Sequence, residues 1–178
     1  MLFLVEANEK YTGELAQFKK EVLLYDKNRT DQFAGCMGLR DCSTEKDWIK
    51  LCNLRKRTET CEQAGTTVPS TTYFAIRESD NRLVGVIDLR HHIDHPIGTW
   101  GGHCGYSVRP SERGKGYANE MLRLNIQNAK RMGLSKLLVV CDETNAASEK
   151  TILANGGVFE KYIEIDGCRM KRYWIDTD

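Results

Sequence analysis

The densest chemistry in this chain lies in one run, Val108-Arg-Pro-Ser-Glu-Arg-Gly-Lys-Gly-Tyr-Ala118. Residues 103–108 before it read as a strand, and residues 115–132 after the first glycine read as an amphipathic helix. A loop that leaves a strand and opens a helix with Gly114-Lys115-Gly116 aims several backbone N–H groups at one point. The first helical turn adds its own unpaired donors and the positive end of the helix dipole. Such a geometry binds phosphate. Arg113 and Lys115 add positive charge, and an arginine can hold a phosphate through two parallel bonds.

Other phosphate loops fit the run less well. A Walker loop needs glycine where Arg109 stands, and serine or threonine where Gly116 stands. A dinucleotide fingerprint needs glycine or alanine at Asn119 and opens the first βαβ unit of its domain. Here the loop comes late in the chain.

The elements that must position this loop are legible from periodicity. Residues 9–26 read as a helix, with Leu15, Phe18, Val22 and Tyr25 at helical spacing. Residues 28–43 form a loop rich in Gly, Asp and Asn. A second helix is expected over 47–61, capped within 44–47. Residues 72–77 and 83–89 form a β-hairpin around Ser79-Asp80-Asn81. Residues 90–100 form a polar loop with His91, His92 and His95.

Beyond the phosphate-type loop and its helix, Gly133 is a natural stop. A buried-type strand follows over 136–141. This strand–helix–strand span implies a right-handed crossover and a parallel pair. A short helix over 145–155 begins at Asn145 and ends at Gly156-Gly157. Strands over 158–164 and 169–175 close the chain around Asp166-Gly167. The expected fold class is α/β, a mixed sheet with helices on both faces.

Composition narrows the function. The chain has 178 residues, enough for one domain with a full core, and a formal net charge of +1. That balance gives no argument for nucleic acid or a membrane as partner. No segment approaches the length of a membrane span. The short apolar run at 2–5 has no basic segment before it, so a cytoplasmic protein is expected. The seven cysteines include no Cys-x-x-Cys pair, so reduced thiols and no structural metal are expected. His91, His92 and His95 with Asp94 could suggest a metal, but they lack a clear fourth ligand.

The pattern Arg113-x-x-Gly116-x-Ala118 resembles the acetyl-coenzyme A loop of the GNAT acetyltransferase superfamily. The run from Gly105 to Ala118 and the Asn155-Gly-Gly157 segment resemble a bacterial subgroup of that family. The resemblance covers residues 71–178 and implies an antiparallel meander plus a βαβ unit whose central parallel pair splays. On it, residues 71–178 are the acetyl-CoA-binding core. Residues 1–70 are a variable helical region on the acceptor side of the same single domain.

The resemblance assigns roles residue by residue. Tyr106, Ser107 and Val108 present backbone groups to the pantetheine arm. Arg113, Gly114, Lys115, Gly116, Tyr117 and Ala118 wrap the pyrophosphate. Asn145 and Ser148 line the acetyl end, although Asn145 also fits a plain helix cap. The implied activity is transfer of acetyl from acetyl-CoA to a primary amine by direct attack. A homodimer is common in the family, and this chain does not decide it.

Such chemistry needs a base for the amine proton, a donor for the developing oxyanion, and an acid for the leaving thiolate. His103 is the first base candidate, with Asp88 and His91 next. Many GNAT enzymes carry their acid tyrosine where Ile152 stands. Tyr162 and Tyr173 on the closing hairpin are substitutes. Because isoleucine cannot protonate a thiolate, a coenzyme A-binding module with little catalysis is the rival expectation. Asp88, Glu164 and Asp166 could attract a cationic acceptor.

Overall fold

The computed structural model describes residues 1–27, 29, 32–93 and 100–178. Four strands form one antiparallel sheet in chain order: β1 (Leu2–Glu6), β2 (Ser70–Arg77), β3 (Arg82–Arg90) and β4 (Tyr106–Val108). A second antiparallel sheet places β7 (Cys168–Asp176) between β5 (Lys136–Asp142) and β6 (Val158–Ile165). Among the described residues the helices include α1 (Thr12–Tyr25), α2 (Glu45–Arg55), the single turn α3 (Thr58–Cys61), α4 (Tyr117–Arg131) and α5 (Ala146–Ala154).

Alternation along β2 and β3, its parity reset in β3 by a bulge at Val84 where the register shifts between Ala75 and Ile76, explains the layering. Phe74, Ile76, Leu83 and Val86 point to one face, where Leu15, Phe18 and Val22 of α1 and Trp48 of α2 cover them. Ala75, Val84, Ile87 and Leu89 point to the other, against Met121, Leu122 and Ala129 of α4 and Leu137 and Val139 of β5. Each fully buried side chain of this size is worth roughly 1.5–3 kcal/mol. Gly85 is required at the second interface. A Cβ there would lie 2.8 Å from the backbone oxygen of Ser107 and 2.7 Å from the sulfur of Met121, so glycine lets β4 and α4 lie close on β3.

Local signals set the ends of the helices. The Thr44 hydroxyl accepts from Asp47 N–H at 3.1 Å and opens α2. The expected single helix over 47–61 is broken, because Arg57 is extended (φ −121°, ψ 139°) between α2 and α3. Strand β1 was not expected. Its apolar run pairs with β2 from Leu2↔Arg77 to Glu6↔Tyr73. All seven cysteines are free thiols, and no helix among the described residues is long and apolar enough to cross a membrane.

The splay that the resemblance implied matters for the site. The expected parallel pair, β4 and β5, shares no ladder, and the two strands belong to different sheets. The sheets are tied where His103 N–H donates to Leu138 O at 2.7 Å. Leu138 N–H donates in return to His103 Nδ1 at 2.8 Å. Beyond that staple the strands part.

Candidate active site

The parting strands open a cleft of about 1040 Å³. Its walls are Cys104 to Val108, Val140 to Asp142, the loop at Arg113, Gly114 and Gly116 to Asn119, and the α5 residues Ala147, Ser148 and Thr151. The hairpin residues Asp166, Cys168 and Met170 close one side, and Ala34, Gly35 and Trp100 another.

The β4 register decides which backbone groups the cleft receives. Asp88 N–H donates to Gly105 O, and Arg109 N–H donates to Val84 O. Between those bonds an antiparallel ladder alternates. Ser107 therefore turns its backbone toward Val86, while Tyr106 and Val108 turn theirs to the open edge. Of the three residues expected to present backbone groups, Ser107 does not. Its hydroxyl instead donates to Ala34 O at 2.7 Å and ties down the 33–36 loop.

The phosphate-type loop has the expected form. Gly114 (φ 77°) and Gly116 (φ 82°) are left-handed, and Gly116 caps α4 without any side-chain cap bond. Among the described residues, the N–H groups from Gly114 to Asn119 make no hydrogen bond. Such a run of unpaired donors at a helix N-terminus is an anion site.

The cations of the loop are already engaged. The Arg113 guanidinium pairs with both oxygens of the buried Asp26, and its Nε donates to Val108 O at 3.1 Å. Lys115 Nζ lies 2.8 Å from Glu112. Burial raises the Glu112 carboxyl, but hydrogen bonds from Lys115 and Arg77 outweigh it and hold the group below its ordinary value. Arg113 thus fastens the loop to the end of α1, and the backbone amides remain unpaired.

Asn145 is a helix cap, its side chain accepting from Ser148 N–H at 3.1 Å, and it also lines the cleft. Across from it the Tyr106 hydroxyl lies 2.8 Å from Ser148 Oγ. Burial pushes the Tyr106 phenol well up, so it stays protonated at neutral pH. Neither residue was singled out as a proton carrier from sequence. The signal available was their place on either side of the splay.

The expected base and acid residues lie elsewhere. His103 does not line the cleft. Its Nδ1 is occupied by Leu138 N–H, its ring packs near Trp174, and burial with the charge of Arg90 lowers its pKa to about 4. It is a neutral staple between sheets. Replacing His103 with Ala is expected to lower the melting temperature while leaving the acidic limb of any transfer activity in place. The sign for stability follows from the lowered pKa. Between its unfolded value near 6.5 and about 4 the unfolded chain binds the proton more readily, so stability falls as pH falls through that window. Thermal unfolding of both proteins from pH 7 to pH 4 checks this, the variant losing the dependence.

Asp88 is buried against Gly105 and outside the cleft walls. His91 bonds Thr71 Oγ1 at 2.9 Å, and burial lowers its pKa. Tyr162 lies under the Arg169 guanidinium, 3.9 Å from its ring centre. Tyr173 gives its hydroxyl to Glu149. Neither tyrosine lines the cleft. Ile152 is fully buried in the core, so the position left without a tyrosine faces inward. Cys141 does line the cleft, but burial and the charge of Glu149 push its thiol up to about 11, which disfavours the thiolate. Asp94 and His95, weighed as metal ligands, lie outside the described residues.

The model of the Acetyltransferase (GNAT) domain matches residues 41–158. The chain belongs to this family. No curated protein matches its sequence. Similar solved structures include the ribosomal L7/L12 alpha-N-protein acetyltransferase RimL in complex with coenzyme A, at 19% identity and a TM-score of 0.69. That match covers 99% of this chain and 96% of the other. An N-acetyltransferase from Staphylococcus aureus Mu50 matches at 17% identity and 0.67, covering 100% and 99%. The acetyltransferase-type protein yncA from Salmonella typhimurium, with acetyl-CoA, matches at 12% and 0.65, covering 99% and 94%.

Proposed function

We propose that this chain is an acetyl-CoA-dependent N-acetyltransferase acting on a primary amine by direct attack. The observation that carries the reading is the set of unpaired amides along one cleft: Tyr106 and Val108 on the splayed strand, then Gly114 to Asn119. When bound, acetyl-CoA supplies an acetyl group activated as a thioester. The amides from Gly114 to Asn119 hold its diphosphate, and Tyr106 and Val108 hold the pantetheine arm as a neighbouring strand would. The Tyr106 N–H would donate to the thioester carbonyl oxygen, on which charge develops. The Tyr106 hydroxyl and Ser148 Oγ would supply a proton to the departing sulfur, replaced by the one that the attacking amine releases.

The acceptor must be neutral to attack. Asp142 and Asp166 line the same cleft and attract a cationic amine. RimL and a Salmonella typhimurium structure are described as modifying the N-terminus of ribosomal protein L7/L12. A protein α-amine is therefore an acceptor to test beside lysine, polyamines and aminoglycosides. Its pKa near 7.7–8.0 leaves far more neutral amine at pH 7 than lysine at about 10.4. With seven free thiols, the cytoplasm is the compartment that fits.

Calorimetric titration with acetyl-CoA, beside coenzyme A and NADH, tests binding, and thiol release with a panel of amines tests transfer. Saturable binding of acetyl-CoA and none of NADH is expected. Tyr106→Phe and Ser148→Ala are each expected to slow thiol release by about 10²- to 10⁴-fold, the usual span for a general acid, while cofactor affinity changes little. Tight binding with no release above background for any amine would favour the binding-module reading.

A further inference from the structure

The junction of β3 and β4 contains a buried polar cluster that the phosphate-type loop and the proton carriers do not explain. A regular ladder would pair Asp88 with Gly105 through two backbone bonds. Only one is made, from Asp88 N–H to Gly105 O at 3.1 Å. The second is replaced. Gly105 N–H donates to the side chain of Asp88, to Oδ1 at 2.5 Å. The Asp88 carbonyl left without its rung is taken by the Asn125 side chain, Nδ2 at 3.0 Å. Asn125 is fully buried on α4, and its Oδ1 has no hydrogen-bond partner among the described residues. Asp88 is itself buried, and its Oδ2 lies 3.6 Å from Arg90 Nη2. Arg90 Nη1 in turn donates to Gly101 O and Gly102 O.

With the carboxylate taking Gly105 N–H in place of the Asp88 carbonyl, this rung is opened on one side while its other bond is kept. The regular ladder begins at Tyr106. Tyr106 N–H is the first backbone donor after the opened rung that faces the cleft. Gly105 is also pinned from the other face. A Cβ on it would lie 2.7 Å from Gly35 N, so the strand cannot relax toward the 33–36 loop.

We infer that Asp88, with Asn125, is a positioning residue that aims the Tyr106 N–H at the thioester carbonyl. The inference rests on the acetyl-CoA reading of the cleft. It gives Asp88 no part in proton transfer. It makes the cost of burying an aspartate and a half-satisfied asparagine part of how the oxyanion donor is placed. Buried polar groups are costly where unpaired, and where hydrogen-bonded they fix one local arrangement.

The test reads the carbonyl directly. Acetyl-CoA carrying ¹³C at the acetyl carbonyl is bound at saturation, and its infrared stretch is compared with that of the free compound. In the unmodified protein the band is expected at lower frequency, because an aligned N–H polarises the carbonyl. Asp88→Asn keeps an oxygen for Gly105 N–H and is expected to keep most of that shift. Asp88→Ala is expected to lose it, with acetyl-CoA affinity within about threefold and turnover on the best amine of the panel down at least about tenfold, toward the loss seen when an oxyanion donor is removed. Asn125→Leu, close in shape and free of polar atoms, is the second variant should Asp88→Ala fail to fold. It releases the Asp88 carbonyl to reclaim Gly105 N–H and is expected to lose the shift as well. Failure of acetyl-CoA to bind the unmodified protein would end the cofactor reading, and this inference with it. Binding with an unshifted band, or an undiminished shift in Asp88→Ala or Asn125→Leu, would overturn the positioning role alone.

Discussion

Gly116→Val is expected to fold and to bind acetyl-CoA at least about 100-fold more weakly, a loss of roughly 2.7 kcal/mol. Two separate effects act at this position. Gly116 has φ 82°, a conformation that costs a residue bearing a Cβ about 1–2 kcal/mol. The new side chain also meets no protein atom within 4 Å, so it projects into open space beside the row of unpaired amides. Strain lowers stability, whereas intrusion blocks close approach of a diphosphate to the backbone. Gly133→Val separates them. Gly133 has the same φ of 82° and the same open surroundings, but lies at the far end of α4. It is expected to cost similar stability and leave affinity unchanged. Calorimetric titration of both variants decides. Equal affinities for Gly116→Val and the unmodified chain would move the diphosphate away from this loop.

The loop was legible because its chemistry is local. Two left-handed glycines, a helix start and an unfilled N-terminus all lie within a few residues, and each has a residue signature. The hairpin and the helices were legible for the same reason. What sequence hid were partners far apart in the chain. Arg113 looked like a phosphate ligand because Asp26, its partner, is 87 residues away. His103 looked like a base because an imidazole on a strand beside the cleft has a suitable pKa. Nothing local shows that Leu138 N–H already occupies its nitrogen. Strand β1 was too short and too near the chain start to stand out, and it exists because β2 offers it an edge. The crossover rule correctly linked β4 to β5 through α4. Periodicity could not show that the strands part, and only the family resemblance implied the splay that the two separate sheets display. Tyr106 and Ser148 were both placed at the cofactor site, yet their hydroxyl contact is a fact of packing across the cleft.

Arg109 presents the clearest case of a signal present in the sequence and left unread, and its replacement carries the largest expected loss of stability. Glu14, Gln17 and Glu21 recur at helical spacing on α1, which places three acceptors on one face. The structure turns that face inward onto Arg109, which is 1% exposed. Its Nη1 meets Glu14 at 2.9 Å, its Nη2 meets Gln17 at 2.9 Å and its Nε meets Glu21 at 2.7 Å. Leu83 O takes a further bond. Arg109→Met keeps much of the volume and removes every donor, leaving two carboxylates facing a buried thioether. Breaking a buried pair costs about 3–5 kcal/mol. Because Glu14 and Glu21 keep some contact with water, roughly 2–4 kcal/mol is the better expectation, or about 5–15 °C in melting temperature for a chain of this length.

The pH dependence of this network has a definite sign. Burial raises the Glu21 carboxyl, but its hydrogen bonds from Arg109 and Ser111 outweigh this and hold it below 4.5. A depressed carboxyl stabilises the fold above its unfolded value, and that contribution is lost as pH falls through the folded one. Glu21 therefore supports the fold at neutral pH and ceases to do so as pH falls below about 4.5. In Arg109→Met the main cause of the depression is gone, so melting temperature should fall less steeply between pH 5 and about pH 3. The network also carries a consequence for binding. Glu21 Oε2 accepts from Ser111 N–H at 3.1 Å, at the turn that leads into the Arg113–Gly116 loop. Loosening α1 from Arg109 thus frees both ends of the segment that shapes the anion site. Arg109→Met should weaken acetyl-CoA binding although Arg109 is absent from the cleft walls. A variant that melts lower yet binds acetyl-CoA as tightly as the unmodified chain would show that the loop holds its form through Arg113 and Asp26 alone.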